Sequence, residues 1–274
     1  HSAFLDKKGV REKPNSKLIC ATKPNKTVII TGASSGIGAA LASAFASKGY
    51  NLGLAARRVE KLEALARQLE DKYHVQVAVT ALDVQQDEQI APAFSRLAQE
   101  LGQVDIVVAN AGVTGVRRSG SGDIAIDKTI FQTNVIGAVA TLDAATKMFL
   151  AQGHGHLVGM SSFSAFSPLP ASAAYSASKA ALTNYMNAMR LELMSKKINV
   201  TVIHPGFIKT DIAPHMDKYP FVIEADIAAQ QMVRAIEAKK VNVIVPAMPW
   251  KAAKGLMKLM PDPLLAMMFN KMMK

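Results

Sequence analysis

Short apolar runs and longer helical runs alternate along most of the 274-residue chain. The apolar runs are 27–30, 51–56, 76–82, 104–109, 156–160, 200–204 and 241–245. Their length and their Val, Ile, Leu and Ala content read as strands. Between them, 39–48, 59–72, 85–101, 124–152, 174–197 and 225–238 read as helices. Such alternation predicts an α/β fold. The pattern fails at both ends. Residues 1–25 are polar and basic, with Pro14 and Pro24, and read as an N-terminal arm. Residues 247–274 mix Leu and Met with Lys, and Pro261 and Pro263 divide them into two short amphipathic helices. The expected organisation is an arm (1–25), one α/β body (26–246) and a Met/Lys-rich tail (247–274).

Composition narrows the class. Half of the residues are hydrophobic and few are aromatic, which suits an aliphatic core of sheet and helices. The single Cys20 excludes a disulfide framework, lies in no catalytic pattern, and fits a reducing, cytoplasmic compartment. No apolar run reaches the roughly 18 residues of a spanning helix, and the N-terminus lacks an apolar signal core. His1-Ser2 in place of an initiator Met reads as a processed or added end.

Charge changes the picture at the ends only. The net charge is +11. Residues 1–26 hold seven Lys/Arg against two Asp/Glu, residues 239–274 hold seven Lys against Asp262, and the stretch between is balanced. No nucleic-acid partner is expected, because the basic ends lack interleaved aromatics and no recognition module is visible. The basic ends read either as solubilising faces or as peripheral contacts to an anionic membrane surface.

The candidate chemistry starts behind the first strand. Thr31-Gly32-Ala33-Ser34-Ser35-Gly36-Ile37-Gly38 separates a strand from a helix. Strand, glycine turn and helix in that order cradle a phosphate, because the amides at the helix start face the anion. Gly32 permits a tight turn, Gly36 lets backbone approach the pyrophosphate, and Gly38 lets the helix pack closely. A simple tight turn is the alternative. Far downstream, Tyr175 and Lys179 stand four residues apart on one helix face. An ammonium one turn from a phenol favours the phenolate and lowers its pKa towards the working range. An ordinary surface Tyr and Lys are the alternative if that pair stood alone.

These motifs do not stand alone. TGxxxGIG at 31–38, Asn110-Ala111-Gly112, Asn134 within Thr133-Asn134-Val135, Ser162 thirteen residues before Tyr175, YxxxK at 175–179, and Pro205-Gly206 with Thr210 follow one another in order. Over roughly 26–246 the chain thereby resembles the short-chain dehydrogenases/reductases. The resemblance implies a single doubly wound Rossmann-fold domain with a mainly parallel seven-stranded sheet, ordered 3-2-1-4-5-6-7. It also implies hydride transfer between NADP(H) and a carbonyl or alcohol. Tyr175 is then the acid/base, and Ser162 holds the substrate oxygen. Lys179 lowers the phenol pKa and binds the nicotinamide ribose, and Asn134 sustains a proton relay through a water. Ser162 is not read as a triad nucleophile, since no GxSxG surrounds it and no His has a recognisable partner position.

The same resemblance assigns the cofactor contacts. Gly32, Ser34, Ser35, Gly36, Ile37 and Gly38 hold the phosphates. Asp83 and Val84 hold the adenine, with a helix N-cap as Asp83's alternative role. Asn110, Ala111 and Gly112 pack on ribose, and Pro205, Gly206, Ile208 and Thr210 follow near the nicotinamide. Ala56 stands where NAD-preferring relatives carry an acid, and Arg57 and Arg58 follow. A guanidinium binds a 2′-phosphate that a carboxylate would repel, so NADP(H) is the expected cofactor. The alternative is that both Arg begin a helix and pair with Glu60 and Glu63. No metal is expected. A homodimer or homotetramer is implied through helices 124–152 and 174–197.

The remaining expectations concern the substrate side. Arg117 to Asp123 reads as a flexible loop at the site mouth. Phe163, Phe166, Leu169 and Pro170 read as an apolar wall or as a packed loop. Residues 207–224, with Ile212, Met216, Tyr219, Phe221 and Val222, read as a substrate lid. The expected substrate is therefore an apolar ketone or aldehyde, or the matching alcohol. The tail packs on its own body or a partner subunit, covers a long substrate, or forms a membrane foot.

Overall fold

The computed structural model describes residues 25–167, 169–210, 219 and 221–272. Strands β1 (Thr27–Thr31), β2 (Asn51–Ala56), β3 (Val77–Ala81), β4 (Ile106–Ala109), β5 (Gly155–Met160) and β6 (Ile198–Pro205) form one sheet with β9 (Asn242–Val245). The order is β3-β2-β1-β4-β5-β6-β9 and every pairing is parallel. This is the expected order. The seventh sheet strand is β9 in sequence because two dipeptide strands intervene, β7 (Ile208–Lys209) and β8 (Ile223–Glu224), which pair with each other. They close the base of the 207–224 excursion. Its residues 211–218 and 220, including Ile212 and Met216, lie outside the described residues, as does nearly all of the 1–25 arm.

Helices cover both faces of the sheet, so the strands are buried on both sides and read as continuous apolar runs. On one face lie α1 (Gly36–Ala46), α2 (Val59–Tyr73) and α7 (Ala225–Glu237), which bury Leu41, Phe45, Leu62, Leu69, Met232 and Ile236. On the other lie α3 (Ile90–Leu101), α5 (Ala138–Gln152) and α6 (Ala173–Glu192), which bury Phe94, Leu97, Leu142, Phe149, Leu182 and Met186. Each fully buried aliphatic or aromatic side chain contributes on the order of 1.5–3 kcal/mol. Gly159 has a specific packing role. The Met186 sulfur stands where a β-carbon at 159 would sit, so α6 lies close on β5. That approach brings the 175–179 turn of α6 over the end of β5.

Three boundaries differ from the expected ones. The helix expected over 85–101 begins as a short 3-10 turn at Asp87–Gln89. The helix expected over 124–152 is α4 (Ala125–Phe131), a π-helical segment (Gln132–Gly137), then α5. Finally, α6 stops at Glu192, five residues early, because β6 already starts at Ile198. The tail forms the two expected helices, α8 (Trp250–Leu259) and α9 (Asp262–Met272), but only Pro261 separates them, since Pro263 lies in the first turn of α9.

Candidate active site

Parallel strands all point their carboxyl ends at one edge, and ligands of open α/β sheets bind outside that edge where the order reverses. Here the reversal falls between β1, β2 and β4. The turn after β1 carries Gly32 and Gly36 at φ +67° and +57°, a region that side chains rarely adopt. A β-carbon at Gly32 would come within 2.7 Å of the Ala111 α-carbon, and one at Gly38 would strike the Gly32 carbonyl and come within 2.6 Å of Asn110 Nδ2. The glycines therefore let this turn press against the turn after β4. Hydrogen bonds fasten the two together. Asn110 Nδ2 donates to the carbonyls of Thr31 (3.0 Å) and Gly32 (3.2 Å), and the amides of Asn110 and Ala111 donate to Thr31 Oγ1. The N–H groups of the first turn of α1 have no intrahelical acceptor and project from this platform.

At the end of β2, Arg58 turns towards the glycine turn. Its Nη2 donates to Ser34 Oγ at 2.9 Å and Ser35 Oγ at 2.5 Å, and its Nε to Ser34 Oγ at 3.3 Å. A cation and two hydroxyls converge on one exposed spot, and the neighbouring Ala56 brings no carboxylate. Both arginines had been expected at this site, and Arg58 is the one in contact with it. At the end of β3, Asp83 Oδ1 accepts from the Gln85 amide at 3.1 Å. Asp83 thus closes a turn and does not cap α3, which begins seven residues later.

The end of β5 delivers Ser161 and Ser162. Ser162 Oγ accepts from the amide (3.1 Å) and hydroxyl (3.0 Å) of Ser164 in the 3-10 turn Phe163–Ala165, leaving its own proton to be donated elsewhere. Lys179 is 4% exposed, and its Nζ donates to the Met160 carbonyl at 2.8 Å. The ammonium stands 5.7 Å from the centre of the Tyr175 ring. Asn134 is buried in the π-helical segment. Its Oδ1 accepts from the Val113 amide, and its Nδ2 donates to the Val113 carbonyl and to Ser178 Oγ. Asn134 Oδ1 and Lys179 Nζ both flank Gly112, at 3.2 and 3.4 Å from the place of a β-carbon there. The irregular helix thus holds the turn after β4 against the YxxxK helix.

Burial dominates the electrostatics of the pair. Burial pushes the Tyr175 phenol above its ordinary pKa, with the hydrogen bond to Ser162 countering part of the rise. Burial lowers the Lys179 ammonium to about 8. One of the three N–H donors of the ammonium is engaged by the Met160 carbonyl. His204 meets the carbonyl of Ser162 at 3.4 Å, not its hydroxyl, which agrees with the absence of a nucleophilic dyad.

The substrate side contains residues that the pattern did not single out. Trp250 is buried. Its indole packs against Phe163 (4.6 Å between ring centres) and Phe207 (5.3 Å), and it occupies the space a side chain at Gly206 would need. Phe163 is thus an interior residue, and the surface facing solvent is made by the half-buried Phe207 and Tyr219 and the exposed Phe221. Its only sequence signal was the chain's single Trp behind Pro249. The 117–123 loop is pinned at Arg117, which pairs with Asp127 and whose amide donates to the Ala171 carbonyl at 2.8 Å.

Comparison with known proteins shows the family. A family model described as short chain dehydrogenase matches residues 26–219. An uncharacterized oxidoreductase of Mycobacterium tuberculosis is 35% identical over 236 residues, covering 85% of this chain and 93% of that protein. The alcohol dehydrogenase of the archaeon Thermococcus sibiricus, solved with 5-hydroxy-NADP, superposes with TM-score 0.71 at 28% identity, covering 80% and 94%. A Burkholderia phymatum short chain dehydrogenase/reductase, solved with NAD, shares the fold at TM-score 0.78 and 21% identity, covering 86% and 92%. The chain belongs to the short-chain dehydrogenase/reductase family of oxidoreductases, whose fold binds a nicotinamide dinucleotide.

Proposed function

We propose that the protein is an NADP(H)-dependent reductase that interconverts an apolar ketone or aldehyde with its alcohol. The supporting observation is the arrangement of two groups at opposite ends of one cleft edge. Ser162, Tyr175 and Lys179 meet at the end of β5, and Arg58, Ser34 and Ser35 meet at the end of β2. The intervening turns suit a dinucleotide, since Gly32 and Gly38 let the turn after β1 close against the turn after β4, with the first amides of α1 left without intrahelical acceptors.

NADPH, when bound, supplies the two electrons and one hydrogen of the reduction. Arg58, Ser34 and Ser35 would hold its 2′-phosphate, the amides of 36–38 its pyrophosphate, Asp83 and Val84 its adenine, and Asn110 to Gly112 its ribose. Lys179 would hold the nicotinamide ribose, beside Pro205, Gly206, Ile208 and Thr210. The raised pKa of Tyr175 keeps its proton in place at neutral pH, ready for the oxygen that becomes the product hydroxyl. Ser162 donates its hydroxyl proton to the same oxygen and orients the carbonyl. Lys179 and Asn134 return a proton to the phenolate, and the low pKa of Lys179 makes that transfer easy near pH 8. Phe207, Tyr219 and Phe221 supply apolar surface for the rest of the substrate.

The working unit is a cytoplasmic homodimer or homotetramer joined through α4–α5 and α6, whose outward faces expose Phe131, Ile136, Tyr185 and Leu191. NADPH oxidation over a panel of aldehydes and ketones of graded hydrophobicity tests the reading. Turnover that rises with chain or ring size supports it. NADPH binding without turnover of any panel member would make the protein a nucleotide-binding regulator instead.

A further inference from the structure

We propose that α8 and α9 form a foot that docks the protein onto an anionic membrane surface, next to the substrate side of the site. The foot is fastened at one end. Trp250 is 7% exposed among Phe163, Phe207 and Phe221, and Lys254 lies 3.5 Å from the centre of the Phe166 ring. These are the segments that follow Ser162 and Gly206.

Beyond that anchor the two helices bury little. Leu256, Leu259, Leu264 and Met267 are 63%, 84%, 45% and 63% exposed, and Met248 just before α8 is 66% exposed. Leu259 is the most exposed large hydrophobic side chain among the described residues. Such a run of exposed apolar residues on consecutive helices marks a surface that something else covers. The helices have 10 and 11 residues, and none among the described residues is long and apolar enough to cross a bilayer. They suit lying in the interface.

Charge selects the occupant. The tail, residues 247–274, carries five Lys against one Asp, and residues 27–238 are balanced. A second copy would bring an equally basic tail or a neutral body, so self-association gains nothing from these lysines. An anionic lipid surface satisfies the lysines and the apolar side chains together. Leu and Met on adjacent turns adapt to disordered acyl chains.

The test uses the full chain with phosphatidylcholine vesicles and with vesicles holding roughly 30% phosphatidylserine. The chain should sediment with the anionic vesicles, with binding at least about tenfold weaker on neutral ones. A variant carrying Leu256→Gln, Leu259→Gln, Leu264→Gln and Met267→Gln keeps Trp250 and Lys254. It should lose binding by about tenfold or more while its melting temperature and NADPH affinity stay unchanged. Lys251→Glu, at an exposed position, should weaken binding and make it less salt-sensitive. Equal sedimentation of variant and parent overturns the proposal, as does equal partition into neutral vesicles. It is also overturned if light scattering shows a tail-dependent oligomer with no vesicle binding, because the occupant is then a second copy. All these readouts are independent of turnover, so they stand apart from the reductase reading.

Discussion

Under the proposed reading, replacing Arg58 by Gln should remove most of the preference for NADPH over NADH. The guanidinium contacts both Ser34 and Ser35 and pairs with no carboxylate among the described residues, so its charge is available to a phosphate. A hydrogen bond to a charged group is worth about 1.5–3 kcal/mol. Arg58 is exposed, which screens the interaction and points to the lower end of that range. At about 1.4 kcal/mol per tenfold, the loss of one such contact weakens NADPH binding roughly 10- to 30-fold. NADH lacks the 2′-phosphate and should bind within about twofold of the parent. Arg57 makes no hydrogen bond to either serine, so Arg57→Gln should cost only a few-fold. Fluorescence titration of each variant with both cofactors, at low and high salt, measures all three quantities. Equal weakening of NADH and NADPH by Arg58→Gln would refute the reasoning, since the arginine would then be supporting the turn and not reading the phosphate.

Other predictions follow from packing and titration. Gly38→Ala should abolish binding of both cofactors and lower stability by about 1–3 kcal/mol, because its β-carbon meets backbone at Gly32 and Ala33; isothermal titration and urea unfolding read both effects. Lys179→Met should be inactive yet more stable than the parent at pH 7, by roughly 3 kcal/mol at most. The sign follows from the folded pKa of about 8 against the ordinary lysine value of 10.5. Parent stability rises between pH 8 and 10.5, where the unfolded chain still binds the proton, so the variant's advantage should shrink over that window. His156 is buried against Thr201 with its pKa lowered from 6.5 to about 4. It contributes stability that is lost as pH falls through that interval, and His156→Gln should flatten the melting-temperature profile there.

Much of this arrangement was legible in the residue pattern, for identifiable reasons. Parallel strands buried on both faces leave unbroken apolar runs such as Val28 to Ile30, and glycines at 32, 36 and 38 have no helical or strand explanation. The YxxxK spacing survives because Tyr175 and Lys179 are local neighbours on one helix. What was not legible depends on tertiary contact. Nothing local says that Arg58 rather than Arg57 turns towards Ser34. The π-helical segment at 132–137 arises where Asn134 must reach Val113 across 21 positions. The phenol's raised pKa reflects burial, which the four-residue spacing with Lys179 does not reveal. Trp250 reaches Gly206 from beyond the last strand, so its part in the site appears only once the chain is folded.

Tyr175→Phe tests the central claim most directly, because it removes one oxygen atom from the site and little else. Single-turnover reduction and NADPH titration of the same preparation separate chemistry from binding. The account predicts an NADPH dissociation constant within about twofold of the parent and a rate lower by roughly 10²- to 10⁴-fold. A variant that keeps the parent's turnover would contradict it.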